Sequence, residues 1–373
     1  MLRSLIKPTS TVESNPGDRT SSNLHLWHNG DKLVKDVAAQ YSSVVVVVHT
    51  VGPILMEEWR DLPYVKAIVS AHLPGQEAGA ALMEVLYGDV SPPGNLPYTL
   101  AKSESDFPAS VSLVGYQIGQ PQDTFTEGIY IDYRHFHRAN ITPRYAFGHG
   151  LSYTTFSFAN ATIAAATPLS ATLPPRPAKG STPAYPATVP PASEVYWPAN
   201  FHRIWRYLYS FLDTTDADNA AKAAHSTIKY AYPTGYTTDQ RPGPSSGGGQ
   251  GGNPALFDVA YTVSVTVTNT GNRAGKAVAQ LYVQFPSAQT IDTPVLQLRD
   301  FKKTETLAPG AHRTLQLRVT RKDVGVWDVV SQNWVVPVAH GDYGVWIGDS
   351  SDNLHARCGT ASGGCVGDVA SPV

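Results

Sequence analysis

The stretch SSVVVVVHTVGP, residues 42–53, decides the fold. Val44 to Val48 run without any alternation of polar and apolar positions. A strand wetted on one face alternates; a strand buried on both faces, as in a parallel sheet, does not. Before it, GDKLVKDVAAQY places Leu33, Val34, Val37, Ala38 and Tyr41 on one helical face, with Asp31 as N-cap. After the valines, LPYVKAIVSAHLPG reads as a second buried strand. QEAGAALMEVLYG reads as a helix with Ala78, Ala81, Leu82, Val85 and Leu86 inward and Gly88 near its C-cap. GNLPYTLA reads as a third, short strand. The series is βαβ, hence a parallel α/β layer.

Beyond this layer the composition changes. Eight prolines fall between Pro168 and Pro191, and RPGPSSGGGQGGNP closes the region with glycine. Residues 159–255 therefore read as a Pro/Gly-rich insertion that cannot order a core by itself. Within it, about 196–213, Phe201, Ile204, Trp205, Leu208 and Leu212 keep helical spacing. Residues 256–350 read as all-β. Val259, Tyr261, Val263, Val265 and Val267 alternate with small polar partners, and AVAQLYV, RTLQLRV and DYGVWIG repeat the pattern. Short strands at this spacing suggest an immunoglobulin-like or fibronectin type III sandwich. The expected fold class is thus α/β, then all-β, with a flexible tail over 351–373.

The chain has 373 residues, a formal net charge of −2 and no basic block. That argues against nucleic acid as a partner, because phosphate binding needs clustered Lys and Arg. No apolar run approaches the ~20 residues that span a bilayer, so no membrane role is expected. MLRSLIKPTSTVESNPGDR shows no signal-peptide hydrophobic region. Cys358 and Cys365 either close a small loop as a disulfide or remain two free thiols. Neither CxxC spacing nor a ligand cluster supports a metal site, and no cofactor is expected.

The tempting chemistry weakens on inspection. Glu77 and Glu84 stand seven residues apart, nearly two helical turns, so their carboxyls leave one flank. That makes an acid/base pair of glycosidase type geometrically conceivable. The plainer reading is stronger: Glu77 complements the helix dipole and Glu84 is solvated. His135 and His137 in YRHFHR share a face if the segment is a strand, but they make half a metal site at most. The plainer reading is the polar face of a loop or edge strand. FGHGLSY lacks the third glycine of a dinucleotide fingerprint. No G-x-S-x-G occurs, which leaves a serine hydrolase unsupported.

Several long stretches resemble one family. LHLWHNGDKLVKDVAAQYSSVVVVVHTVGPILMEEW, LPGQEAGAALMEVLYGDVSPPGNLPYTLAKSESDFP, EGIYIDYRHF and YAFGHGLSYTTFSF resemble the second half of glycoside hydrolase family 3, closest in type to the fungal secreted β-glucosidase. GGNPALFDVAYTVSVTVTNTGNRAGKAVAQLYV and VLQLRDFKKTETLAPG resemble its fibronectin type III-like domain. The resemblance implies the C-terminal α/β sandwich domain over 15–158 and a retaining mechanism on terminal β-D-glucosyl residues. It also implies a barrel domain bearing the nucleophile, which this sequence does not contain. The acid/base glutamate of fungal members lies in a Gly-Glu-Gly-Tyr motif shortly before a Gly-Asp-Arg. Here Gly17-Asp18-Arg19 is kept, and Asp18 and Arg19 are the expected substrate-proximal residues. Counting back by the family's spacing falls near Lys7, and Glu13 sits too close to Gly17 to match. Residues 1–14 therefore look foreign to the family, and no catalytic residue is assigned.

The expectation is a catalytically incomplete β-glucosidase portion, meeting a β-glucoside or oligosaccharide only together with the barrel. The alternative is a non-catalytic carbohydrate- or protein-binding module using Trp27, Trp197 and Trp205. The family implies secretion. Asn160-Ala161-Thr162 fits that as an N-glycosylation sequon, whereas Asn140-Ile141-Thr142 is followed by Pro143 and is a poorer acceptor.

Overall fold

In the computed structural model the valine run is a strand with parallel neighbours on both sides. Residues 4–6, 24–26, 29–108, 125–173, 253–287, 291–328, 333–337, 341–367 and 369–373 are described. The chain divides into two units, 1–175 with 254–373, and 176–253; every element below belongs to the first. Its α/β layer comprises β1 (Ser4–Ile6), α1 (Gly30–Gln40), β2 (Val44–Val48), β3 (Val65–Ser70), α2 (Ala78–Tyr87) and α3 (Tyr133–Ala139). The sheet order is β1-β2-β3. Val44, Val46 and Val48 share a core with Val34 and Ala38 of α1 and with Ile54, Met56 and Trp59. Burying each such side chain is worth roughly 1.5–3 kcal/mol, which is why the unalternating run has to be central.

Several expectations change here. Asp31 does not cap α1. Asn29, in the left-handed conformation at φ 61°, precedes the helix, and Asp31 instead accepts from Trp59 Nε1 at 2.6 Å. Leu33 and Tyr41 are exposed, because only the Val34–Ala38 side of α1 meets the sheet. β3 is not buried on both faces; Lys66, Ala67 and Ser70 are exposed on this outer strand. GNLPYTLA forms no strand, only an isolated bridge of Leu100 to Tyr145. YRHFHR is neither loop nor strand but α3, started by the Asp132 carboxylate on Tyr133 N and anchored by buried Tyr133 and Phe136. Ser4–Ile6, inside the stretch expected to look foreign, pairs in register with Val46–Val48.

The sandwich follows from period-2 patterning. One sheet has the order β4-β5-β8, from β4 (Phe156–Ala165), β5 (Val259–Asn269) and β8 (His312–Thr320). The other has the order β13-β12-β11-β6-β7. It contains β6 (Val278–Gln284), β7 (Gln297–Lys303), β11 (Gly344–Gly348), β12 (Leu354–Gly359) and β13 (Cys365–Gly367). β9 (Val326–Asp328) and β10 (Asn333–Val335) pair as a separate two-stranded antiparallel sheet. Val263, Val265 and Val267 meet Leu281, Val283, Leu315, Leu317, Val345 and Ile347 in the core between the sheets. β4 straddles the boundary expected at 158/159, yet it pairs with β5, so the sandwich begins before the insertion. The tail expected to be flexible supplies β12 and β13, because Leu354, Ala356 and Cys358 alternate inward. Cys358 and Cys365, opposite each other across β12 and β13, are joined by a disulfide. The aromatic helix expected over 196–213 lies outside the described residues, as do Lys7, Glu13, Asp18, Arg19, Trp27, Trp197 and Trp205.

Candidate functional site at the carboxyl edge of the parallel sheet

In open α/β sheets ligands approach the carboxyl ends of the parallel strands. Here two histidines stand at that edge. His49 directly follows β2 and His72 lies two residues past β3. Parallel register, with Val48 opposite Ser70, brings them to the same level although 23 residues separate them. Buried His49 donates from Nδ1 to the His72 carbonyl at 3.2 Å. Tyr98 Oη lies 3.2 Å from His72 Nδ1, and the two rings meet edge to face at 5.6 Å. His72 has a left-handed φ of 49°, a conformation a side chain adopts at a cost and keeps only when its surroundings hold it. Burial lowers the His72 pKa, so at neutral pH it is an uncharged imidazole. An imidazole and a phenol of this kind can exchange hydrogen bonds with ligand hydroxyls. They do not make a hydrolytic pair.

The two glutamates weighed from sequence are not part of this edge cluster. Glu77 occupies the position before α2, caps nothing and is exposed; Glu84 is exposed on the same helix. None of the apolar residues expected to face inward from α2 is fully buried, and Met83 (48% exposed) and Tyr87 (58%) lie open. Gly88 does close the helix, in the left-handed conformation at φ 81°. His135 and His137 do not face the same way. His135 donates from Nε2 to the Asp106 carbonyl at 3.0 Å, while His137 stacks edge to face on Tyr133. Among the described residues no group of three or more His, Cys, Asp or Glu side chains could hold a metal ion.

A second ordered cluster forms the joint between layer and sandwich. Asp132, at φ 53°, is fixed by Thr99 N (3.0 Å), Thr99 Oγ1 (2.6 Å) and Tyr133 N (2.6 Å). It aims Tyr133 into a cluster with Tyr282, Leu296, Trp346 and Leu354 of the sandwich, where Tyr133 Oη accepts from Leu298 N at 2.9 Å. Arg138 lies 3.8 Å over the Tyr130 ring and pairs with Asp292 at 3.0 Å. Burial first, and then the bond to Asp292, push the Tyr130 phenol up to about 12. The G-x-G of FGHGLSY belongs to this joint as well. A Cβ on Gly148 (φ 86°) would lie 2.6 Å from Gln280 Nε2 and 2.9 Å from the Ser350 backbone. Gly148→Ala should therefore cost more than the ~1–2 kcal/mol of a left-handed alanine. Thermal melts check this; an unchanged midpoint would show that the contact yields freely.

Sequence reading missed His49 and His72 as a pair. Their signal was present: each comes just after a strand of the parallel sheet, so the register of β2 and β3 sets them side by side.

A parallel α/β domain carried on a fibronectin type III-like sandwich defines the class. The glycosyl hydrolase family 3 C-terminal domain matches residues 5–133, and the fibronectin type III-like domain matches 277–351. Together they cover more than half of the chain. The first match begins ten residues before the boundary expected at 15. The chain is 62% identical over 349 residues to a probable beta-glucosidase F of Aspergillus fumigatus, covering 93% of itself and 40% of that protein. It is 58% identical to one of Aspergillus oryzae over 354 residues, again 40% of the relative. Among solved structures it is similar to the beta-D-glucoside glucohydrolase of Trichoderma reesei (TM-score 0.65, 37% identity, 94% of this chain, 37% of that one). It is also similar to the Chaetomium thermophilum beta-glucosidase (TM-score 0.67, 37% identity, 94% and 41%). The chain belongs to glycoside hydrolase family 3, of whose curated relatives it spans about 40%.

Proposed function

We propose that this chain is the C-terminal portion of a secreted β-glucosidase that hydrolyses terminal β-D-glucosyl residues with retention. The observation that carries the reading is the collinear match of both domains to proteins named beta-glucosidase, at up to 62% identity. In this reading the chain supplies the carboxyl edge of the α/β layer, with His49, His72 and Tyr98 lining the sugar-facing side. The two carboxylates of the retaining mechanism, and the barrel that carries the nucleophile, come from the part of the relatives that this chain does not span. The exposed apolar side chains of α2, Met83 and Tyr87, support the same reading, since surface of this kind marks a partner-covered face.

The expected result is no turnover of an aryl β-glucoside by the isolated chain above the buffer rate. Turnover well above buffer would overturn the incomplete-site reading. Activity that appears only when the preceding portion of a relative is supplied in trans would support it.

A further inference from the structure

The sequon at Asn160 sits at a register break in β4. Up to Ala159 the strand alternates regularly: Phe156 and Phe158 turn toward the core, Ser157 and Ala159 are exposed. Strict alternation would send Asn160 inward. Instead Asn160 takes a left-handed φ of 53°. Ala159 pairs with Thr266 and Thr162 with Ser264, so Asn160 and Ala161 together face Val265. This is a β-bulge, and the extra residue resets the phase. Ala161 and Ile163 pack on the core, while Asn160 and Thr162 are both exposed. The distortion keeps a carboxamide out of an apolar core, where an unpaired amide costs several kcal/mol on the order of 2–7. β4 is also the outer strand of its sheet, and an outer strand presents a row of unpaired backbone groups to other chains.

We propose that Asn160 carries an N-linked glycan and that this glycan covers the edge of β4, the outer strand of its sheet among the described residues. The donor is an oligosaccharide on a polyisoprenyl diphosphate. The Asn160 Nδ2 forms a bond to the anomeric carbon as the carbon–oxygen bond to the diphosphate breaks. The lipid diphosphate leaves and the displaced amide proton passes to base. No oxidation state changes. The proposal rests on the reading that the chain enters the secretory route. Asn140, the other sequon, closes α3 at φ 53° and stays unmodified, because Pro143 follows its threonine.

The test expresses the full chain behind a cleavable secretion leader in yeast and maps the protein recovered from the medium by mass spectrometry. The expected result is one glycan on the Asn160 peptide, lost in both Asn160→Gln and Thr162→Ala. The second variant keeps the amide and so separates glycan loss from any fault in folding. Enzymatic deglycosylation of the folded protein should then increase self-association in sedimentation, and Ala164→Lys, which charges the same edge, should reverse the increase. An unmodified Asn160 in secreted, folded chain overturns the site. A glycan whose removal leaves sedimentation unchanged overturns its covering role. Fractionation of the native host, without an added leader, tests secretion separately.

Discussion

Replacing Tyr133 by alanine should lower stability by about 4 kcal/mol and split unfolding into two transitions. Tyr133 is 6% exposed and is the only tyrosine of α3. Its ring meets Phe147 at 5.1 Å in the layer and Tyr282 at 6.0 Å in the sandwich. The truncation leaves a cavity between the two domains and removes the acceptor of Leu298 N. Tyr133→Phe keeps the ring and should cost about 1 kcal/mol, with a single transition retained. Urea unfolding followed by fluorescence distinguishes these outcomes, since Trp59 reports the layer and Trp346 the joint. A single transition in the alanine variant, displaced by less than 1 kcal/mol or so, would mean that Tyr133 does not couple the domains.

The joint reaches the candidate edge through Thr99, which binds Asp132 and adjoins Tyr98. Asp132 holds a backbone conformation costing of order 1–3 kcal/mol, and three hydrogen bonds to its carboxylate keep it there. Those bonds tie the start of α3 to Thr99, the chain neighbour of Tyr98.

How much of this was legible depended on whether a residue's surroundings lay within its own pattern. Val44 to Val48 announced a central strand because burial on both faces leaves no alternation. Val263, Val265 and Val267 announced a sandwich strand because one face only is buried. β4 was placed in the wrong domain because the bulge at Asn160 breaks its period halfway along. α3 escaped because seven residues with two buried aromatics are too short to show helical periodicity, and HxH invites a strand reading. α2 was legible as a helix, but its burial was not. An apolar stripe shows that a face wants covering; what covers it is a tertiary fact. His49 and His72 were missed as a pair because 23 residues separate them in the chain; their place just after two parallel strands was the one signal that joined them.

Lowering the pH from 7 to 4 should cost the protein about 3 kcal/mol through His137 alone. Burial lowers its pKa to about 4, against 6.5 when unfolded, and the neighbouring Asp352 and Asp132 carboxylates offset only part of that. Its Nδ1 is buried without a hydrogen-bond partner among the described residues. Between pH 6.5 and 4 the unfolded chain binds a proton that the folded chain refuses. Stability therefore holds above 6.5 and falls as pH drops, by up to ~1.4 kcal/mol per unit. His149 and His72 are lowered by burial too and act in the same direction. His137→Gln should flatten the slope, whatever it does to stability at pH 7, and denaturant titrations at pH 7, 6 and 5 check it. Equal slopes in both proteins would assign the acid sensitivity elsewhere. The two predictions are linked, since Tyr133 covers the His137 ring. Tyr133→Ala wets that imidazole and returns its pKa toward 6.5, so this variant, unstable as it is, should lose less further stability on acidification.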